Sequence, residues 1–406
     1  MSEYLSYSDA STTKTPGPKN LGKKLLFLIS EASYFLSHRL SLAQAAQKAG
    51  YQVHVATTPS KLTLEIQEKG FEHHSLHKLH RSRLNPFQDL STIRELFTLY
   101  QRIQPDIAHH VAMKPTLYGS FVAKKTGVPK VINAFGGLGY LFSSSSLKAR
   151  SLRSAIRLPM RTALNQPESL LVLQNKDDHE LLVKKGFLAR DNVVLIPGSG
   201  VDTTCFSPKK IIDSPTNKSL MITYVGRLLW DKGLQELCEA AALVKECIPL
   251  SEVHLYGDID SKNPCSLTTK EIDHLERHYP VRFRGPTQDV ASVYQASDIA
   301  VLPSYREGLP KSLLEAASSG LPIVTTDVPG CRDVVEDNVS GFLVPPKKTA
   351  ELATALIRLC QKASLRQAMG YAGRSRALTL FAQDLINKQT LALYEEPTNP
   401  VLKRAT

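Results

Sequence analysis

The chain has 406 residues, 42% of them hydrophobic and 22% charged, and carries a formal charge of +12. That length exceeds what a single hydrophobic core ordinarily organises, and the composition excludes a disordered or fibrous chain, so two globular domains are expected. The charge excess is confined to residues 1–200, with 26 Lys and Arg against 14 Asp and Glu; residues 201–406 carry 24 of each. A basic half-molecule suits nucleic acid, an anionic membrane surface or a phosphorylated partner, and plain solvated surface is the alternative. The six cysteines all fall in the second half without close pairing, which argues against a disulfide framework or a zinc site and for reduced, cytosolic thiols.

Residues 1–20 are rich in Ser, Thr, Pro and Lys without periodicity and read as a mobile tail. The run LLFLI (25–29) behind Lys23 and Lys24 is far short of the roughly 18–20 apolar residues that span a bilayer, and no signal-peptide cleavage site follows it. It reads as the first buried strand. Near-continuous apolar runs then alternate with helical patterns, the signature of parallel sheets covered on both faces. Strands are expected at 24–29, 52–57, 106–111, 130–135, 170–175 and 193–198. A helix over 38–50 is closed by Gly50, and LTLEIQEKG repeats the device with Gly70. The alternation restarts with strands at 219–226, 252–257, 281–285, 298–304 and 321–327 and helices at 233–246, 289–297 and 350–361. The fold class is therefore α/β, with two doubly wound parallel-sheet domains. The first takes 21–208 and the second 209–377, with a linker near 208–218. The helical segment 378–396 either finishes the second domain or crosses back to the first.

Ligands of such domains sit where strand C-terminal ends meet a cleft, so the residues just after strands carry the functional argument. VGRLLWDKG (225–233) places Arg227 at a strand end and Lys232 near a helix start, a diphosphate seat if the two face the cleft and solvated surface if they do not. In EGLPKSLLEAASSG (307–320), Gly308 permits a strained turn, Pro310 suits a helix start, and the N–H groups near Lys311 and Ser312 can hold an anion. Glu307 precedes that helix and Glu315 lies inside it; eight residues across the junction would let the pair grip two parts of one extended polar ligand. Capping or salt bridging is the plainer role for both. FGGLGY (135–140) offers Gly136, Gly137 and Gly139 for close backbone approach but no dinucleotide fingerprint. His109 and His110 end a strand ahead of Lys114; a period of two points the histidines opposite ways, so at most one faces the cleft. Arg150, Arg153, Arg157 and Arg161 recur at helical spacing beside Ala149, Leu152, Ile156 and Met160, which is either an interfacial helix or a buried one with a solvated edge.

These motifs resemble the retaining glycosyltransferases of family GT4, whose GT-B fold is two Rossmann-like domains around a cleft. The match runs through LIPGSGVD (195–202), GRLLWDKG (226–233), the E-x7-E element Glu307 to Glu315, and DVPGCRDVVEDNVSGFLVPP (327–346). The resemblance implies that Arg227 and Lys232 hold the diphosphate of a nucleotide-sugar, a UDP-sugar being favoured, and that Glu315 holds its ribose. Glu307 would sit against the transferred sugar, with Gly308, Leu309, Pro310 and Lys311 lining sugar and phosphates. Residues 81–142 resemble the branch that adds a hexose or N-acetylhexosamine to an undecaprenyl-diphosphate sugar in O-antigen, capsule or glycan assembly. That branch implies a polyprenyl-diphosphate-linked acceptor, met on the side of Gly136, Gly137, Lys114 and His110. Many GT4 members carry H-x-H here; His109 matches the first histidine, as a catalytic candidate, but the second position is Val111. No metal or other cofactor is expected to be needed. A peripheral enzyme on the cytoplasmic face of an anionic membrane follows from the basic first half. A GT-B sugar-nucleotide epimerase would share the architecture without needing that half, and a nucleic-acid-binding protein would need a helix-turn-helix or interleaved aromatics that are missing.

Overall fold

The protein is described here from a computed structural model covering residues 22–79, 86–138, 142, 147–188, 192–209, 219–261 and 263–395. The expected tail, Gly139 and most of the linker at 208–218 lie outside the described residues. The first lobe holds seven parallel strands: β1 (Lys24–Glu31), β2 (Gln52–Thr58), β3 (Glu72–Ser75), β4 (Ile107–Val111), β5 (Lys130–Ala134), β6 (Ser169–Leu173) and β7 (Val193–Leu195). Their spatial order is β3-β2-β1-β4-β5-β6-β7. The second lobe holds β8 (Leu220–Val225), β9 (Ser251–Tyr256), β10 (Val281–Gly285), β11 (Ile299–Leu302), β12 (Ile323–Thr326) and β13 (Gly341–Val344), in the order β10-β9-β8-β11-β12-β13. Each sheet reverses direction between its first and fourth strands, β1/β4 and β8/β11. The crevice at such a reversal is where doubly wound sheets bind ligands.

Apolar runs become strands here because both faces are covered. Leu25, Phe27, Ile29, Val53 and Val55 pack on one side of the first sheet. Leu26, Leu28, Ala56 and Ala108 pack on the other, against Leu96, Leu99, Tyr100 and Val122 of the helices Pro86–Ile103 and Met113–Thr126. Neighbouring residues of one strand thus serve opposite layers, the period-two rule with no polar face left over.

The helix expected over 38–50 is Leu40–Lys48, and Gly50 takes the left-handed conformation, with φ 96°; a separate helix that was not expected, Ala32–His38, precedes it across Arg39. The strand β3, EHHS, was not expected, because an edge strand of polar residues has no apolar run to announce it. The helical segment 378–394 is the end of Ala363–Leu380 followed by a separate helix, Gln383–Glu395. At the break, the Val201 N–H donates to Phe381 O (2.8 Å) and the Gln383 N–H to Val201 O (2.9 Å).

The last helix lies on the first lobe. Asn387 Nδ2 donates to Ser41 Oγ (2.6 Å), and Lys130 Nζ caps the helix by donating to Leu393 O (2.9 Å) and Tyr394 O (3.0 Å). In the arginine-striped helix Leu147–Leu164, Met160, Ala163 and Leu164 are buried, while Arg150, Arg157, Leu158 and Arg161 are exposed. No helix among the described residues is long and apolar enough to cross a membrane.

Candidate active site

The two reversals face each other across a cleft of about 450 Å³. The first lobe lines it with Glu31 at the end of β1, with Tyr34, Ser37 and His38 just after that strand, and with Gly136 after β5. The second lobe contributes Gly226 and Arg227 after β8, Lys232, and the run Glu307 to Ser312 after β11. Glycines set how closely the lobes approach. A Cβ on Gly308 would lie 2.3 Å from Gly136 O, and one on Gly137, where φ is 116°, would lie 3.1 Å from the Gly308 backbone. Only glycine fits there. The approach is fastened by polar contacts: Asn175 Nδ2 donates to Gly308 O (2.7 Å) and Lys311 Nζ to Ser37 O (2.9 Å). Arg306 pairs with buried Asp178, and Arg332 with Asp177 at 3.0 Å.

Each cation of the cleft has a carboxylate partner. Arg227 Nη1 lies 2.8 Å from Asp260 Oδ2, Lys232 is paired with Glu307, and Lys311 Nζ lies 3.5 Å from Glu315. Gly233, with φ 73°, closes the 3-10 turn Trp230–Lys232 and packs on Pro303 O, 2.1 Å from where a Cβ would stand. That close packing holds Lys232 against the end of β11. Pro310 is the N-cap of the helix Lys311–Ser318, and no side chain caps its first turn, so the positive end of a helix lines the cleft beside Lys232 and Arg227. Such an end favours an anion through its N–H groups and its dipole.

Glu315 lies one turn farther in and is buried. Burial pushes its carboxyl up to about 7 against the opposing pull of Lys311. Sequence reasoning passed over Tyr34 and His38, whose rings stack 4.2 Å apart on the first helix. Burial and the nearby Lys311 hold His38 down at about 3, so it is neutral at pH 7. The signal for both was their position directly after the first strand, at the expected reversal.

Four residues expected at the site sit elsewhere. His109 does not line the cleft: its ring stacks on Phe27 (5.1 Å), its Nδ1 is hydrogen-bonded to Tyr394 Oη (2.6 Å), and it faces an adjoining cavity of about 20 Å³ that shares His38 and Ser199 with the cleft. His110 points to the opposite face of the sheet, as strand alternation requires, and is hydrogen-bonded to Tyr100 Oη (2.8 Å) and Asn133 Oδ1 (2.8 Å). Lys114 turns toward Asp89 of the helix Pro86–Ile103, at 3.6 Å. Gly137 serves the contact between lobes instead of the cleft wall.

Comparison with known proteins agrees with this geometry. A family model described as "Glycosyl transferase 4-like" matches residues 24–165, and one described as "Glycosyl transferases group 1" matches 219–362. The chain is a GT-B glycosyltransferase related to the GT4 enzymes. The N,N'-diacetylbacillosaminyl-diphospho-undecaprenol alpha-1,3-N-acetylgalactosaminyltransferase of Campylobacter jejuni is 25% identical over 378 residues, covering 89% of this chain and 97% of its own. The UDP-Gal:alpha-D-GlcNAc-diphosphoundecaprenol alpha-1,3-galactosyltransferase of Escherichia coli is 28% identical over 282 residues, 67% of this chain and 70% of its own. In fold, the glycosyltransferase is similar to Anabaena Alr3699/HepE solved with UDP-glucose: TM-score 0.71, 18% identity, 91% of this chain and 99% of that one covered. The enzyme transfers a sugar from a nucleoside-diphosphate donor to a glycan acceptor.

Proposed function

We propose that this glycosyltransferase moves a hexose or N-acetylhexosamine from a UDP-sugar to a glycan carried on a polyprenyl diphosphate, with the anomeric configuration retained. The observation that carries the reading is the seat made by Arg227, Lys232 and the uncapped helix start at Lys311, beside Glu307. Breaking the bond between sugar and diphosphate builds negative charge on the leaving oxygen. Two cations and a helix N-terminus fixed beforehand stabilise that charge without reorganising. The ion pairs with Asp260 and Glu307 keep the cations in place, and the diphosphate would compete for them. Glu307, next to Lys232, lies against the transferred sugar; Glu315, deeper in the same helix, accepts hydrogen bonds from the ribose once ionised. No nucleophile is assigned.

The lobes divide the labour on this reading: residues 209–377 hold the donor, and residues 21–208, with the returning helix, face the acceptor. The activities for which the Campylobacter and Escherichia relatives are named, both on diphospho-undecaprenol-linked sugars, support the acceptor class. The exposed Arg150, Arg157 and Arg161 with exposed Leu147 and Leu158 support docking on the inner face of an anionic membrane, where such an acceptor resides. The test is incubation of the purified protein with a panel of UDP- and GDP-sugars and a short-chain polyprenyl-diphosphate N-acetylhexosamine. One UDP-sugar should extend the lipid-linked acceptor; extension of only the free sugar or glycerol would refute the acceptor class.

A further inference from the structure

Outside the cleft, the edge of the first sheet gathers two buried histidines and a carboxylate that the transfer reaction does not use. His54 on β2 stands across the ladder from Glu72 on β3, with His74 two residues further along β3. Their ligand-type atoms converge. His54 Nδ1 is 3.1 Å from His74 Nε2, Glu72 Oε2 is 3.3 Å from His54 Nδ1, and Glu72 Oε1 is 3.6 Å from His74 Nε2.

Hydrogen bonding cannot satisfy this triangle. A carboxylate only accepts, so pairing it with both rings requires both facing nitrogens to carry hydrogen. Those two N–H groups would then confront each other at 3.1 Å. If instead one ring accepts from the other, that accepting nitrogen faces the carboxylate lone pair to lone pair. An odd ring of three has no alternating arrangement of donors and acceptors. Arg102, on the helix Pro86–Ile103, sharpens the conflict: its Nη2 donates to His74 Nδ1 (3.2 Å), which places the ring hydrogen of neutral His74 on Nε2. His54 Nδ1 then accepts from it and opposes Glu72, while the remaining nitrogen of His54 is buried without a partner among the described residues.

A cation at the centre satisfies all three atoms at once. Zinc bonded to imidazole nitrogen at about 2.0–2.1 Å in tetrahedral geometry sets its ligand atoms about 3.3–3.4 Å apart; the two ring nitrogens stand 3.1 Å apart, each has one of the two Glu72 oxygens at 3.3 or 3.6 Å, and one ligand atom from each residue can be chosen with all three within 4.8 Å of one another. We propose that His54 Nδ1, His74 Nε2 and Glu72 form a binding site for a divalent first-row metal of the zinc class, with water at the fourth position. Two nitrogens and one oxygen suit zinc better than magnesium or calcium, which take oxygen ligands. Binding transfers no net proton: the hydrogen of His74 moves from Nε2 to Nδ1, and the exposed Arg102 swings away. The metal pins the polar edge strand β3 to β2 and takes no part in sugar transfer, since none of its ligands lines the cleft.

Titration of chelator-stripped full-length protein with Zn²⁺ alone, followed by calorimetry, tests the site, and the exposed Glu72 allows a variant that keeps the fold. One strong site per chain is expected, weakened at least tenfold in Glu72→Gln and in His74→Ala, and strengthened in Arg102→Gln because the competing donor is gone. Sugar transfer should be unchanged in Glu72→Gln. No zinc binding by the parent, or equal affinity in parent and Glu72→Gln, would overturn the proposal. The second result would assign the metal to cysteines such as the exposed Cys205 and Cys247.

Discussion

Arg227 and Glu315 hold opposite ends of the donor on this account, and each makes a distinct demand. The guanidinium is half exposed and braced by Asp260, so its planar fork can take two phosphate oxygens where an ammonium would take one. Arg227→Ala should therefore weaken UDP binding, measured by calorimetry, more than Arg227→Lys does. Unchanged affinity in both would make this arginine surface. Glu315 sets a cost in stability. Its carboxyl titrates at about 7 when folded against an ordinary 4.5, so between those values the folded chain binds more protons than the unfolded one. Stability from this group is then lost as pH rises through that window, by up to about 3 kcal/mol. Glu315→Gln should gain stability relative to the parent when urea midpoints at pH 8 are compared with those at pH 5, while losing donor affinity. An equal difference at the two pH values would show that the carboxyl is not held neutral by burial. A group kept at such a cost is expected where a ligand needs it.

At the scale of elements, the helix Gln383–Glu395 joins the lobes, and Lys130 on β5 secures its end. The buried ammonium meets two carbonyls at the negative pole of the helix. Lys130→Met strands those carbonyls, and about 1–3 kcal/mol of stability should be lost, read from the urea midpoint. No loss would mean that the helix is held by its apolar face alone. This connection shows where the sequence was legible and where it was not. Buried strands such as Leu25 to Ile29 announce themselves because both faces are apolar, and the EGLPKSLLEAASSG pattern put Glu307 in the loop before a helix and Glu315 inside that helix, where the structure has them. The chain break at Phe381 left no such mark, since it depends on a bridge to Val201, some 180 residues away in sequence. Strand β3 was hidden because polar edge residues carry no period. The histidines failed for a third reason: alternation correctly separated His109 from His110, but nothing in the strand told that Tyr394 would cover the inner one.

For the whole molecule, the two lobes are latched by Asp177 and Asp178 at the start of the helix Lys176–Lys184, which grip Arg332 and Arg306. On the proposed reading, the exposed Arg150, Arg157 and Arg161 of the helix Leu147–Leu164 are the part of the first lobe that meets lipid. Changing Arg150, Arg153, Arg157 and Arg161 together to Gln should reduce co-sedimentation with phosphatidylglycerol vesicles at low salt. Each cation near such a surface contributes about 1 kcal/mol and is screened within a Debye length, so high salt should release the parent too. Equal sedimentation of parent and variant would remove this helix as the docking element. The central claim, that the cleft between the lobes performs the transfer, is tested most directly at Glu307. Single-turnover transfer from a UDP-sugar to the lipid-linked acceptor should slow by on the order of 10²-fold or more in Glu307→Ala. The fold should stay intact, and the parent's product should keep the donor's anomeric configuration by NMR. Parent-like turnover in the folded variant, or an inverted product, would contradict the account.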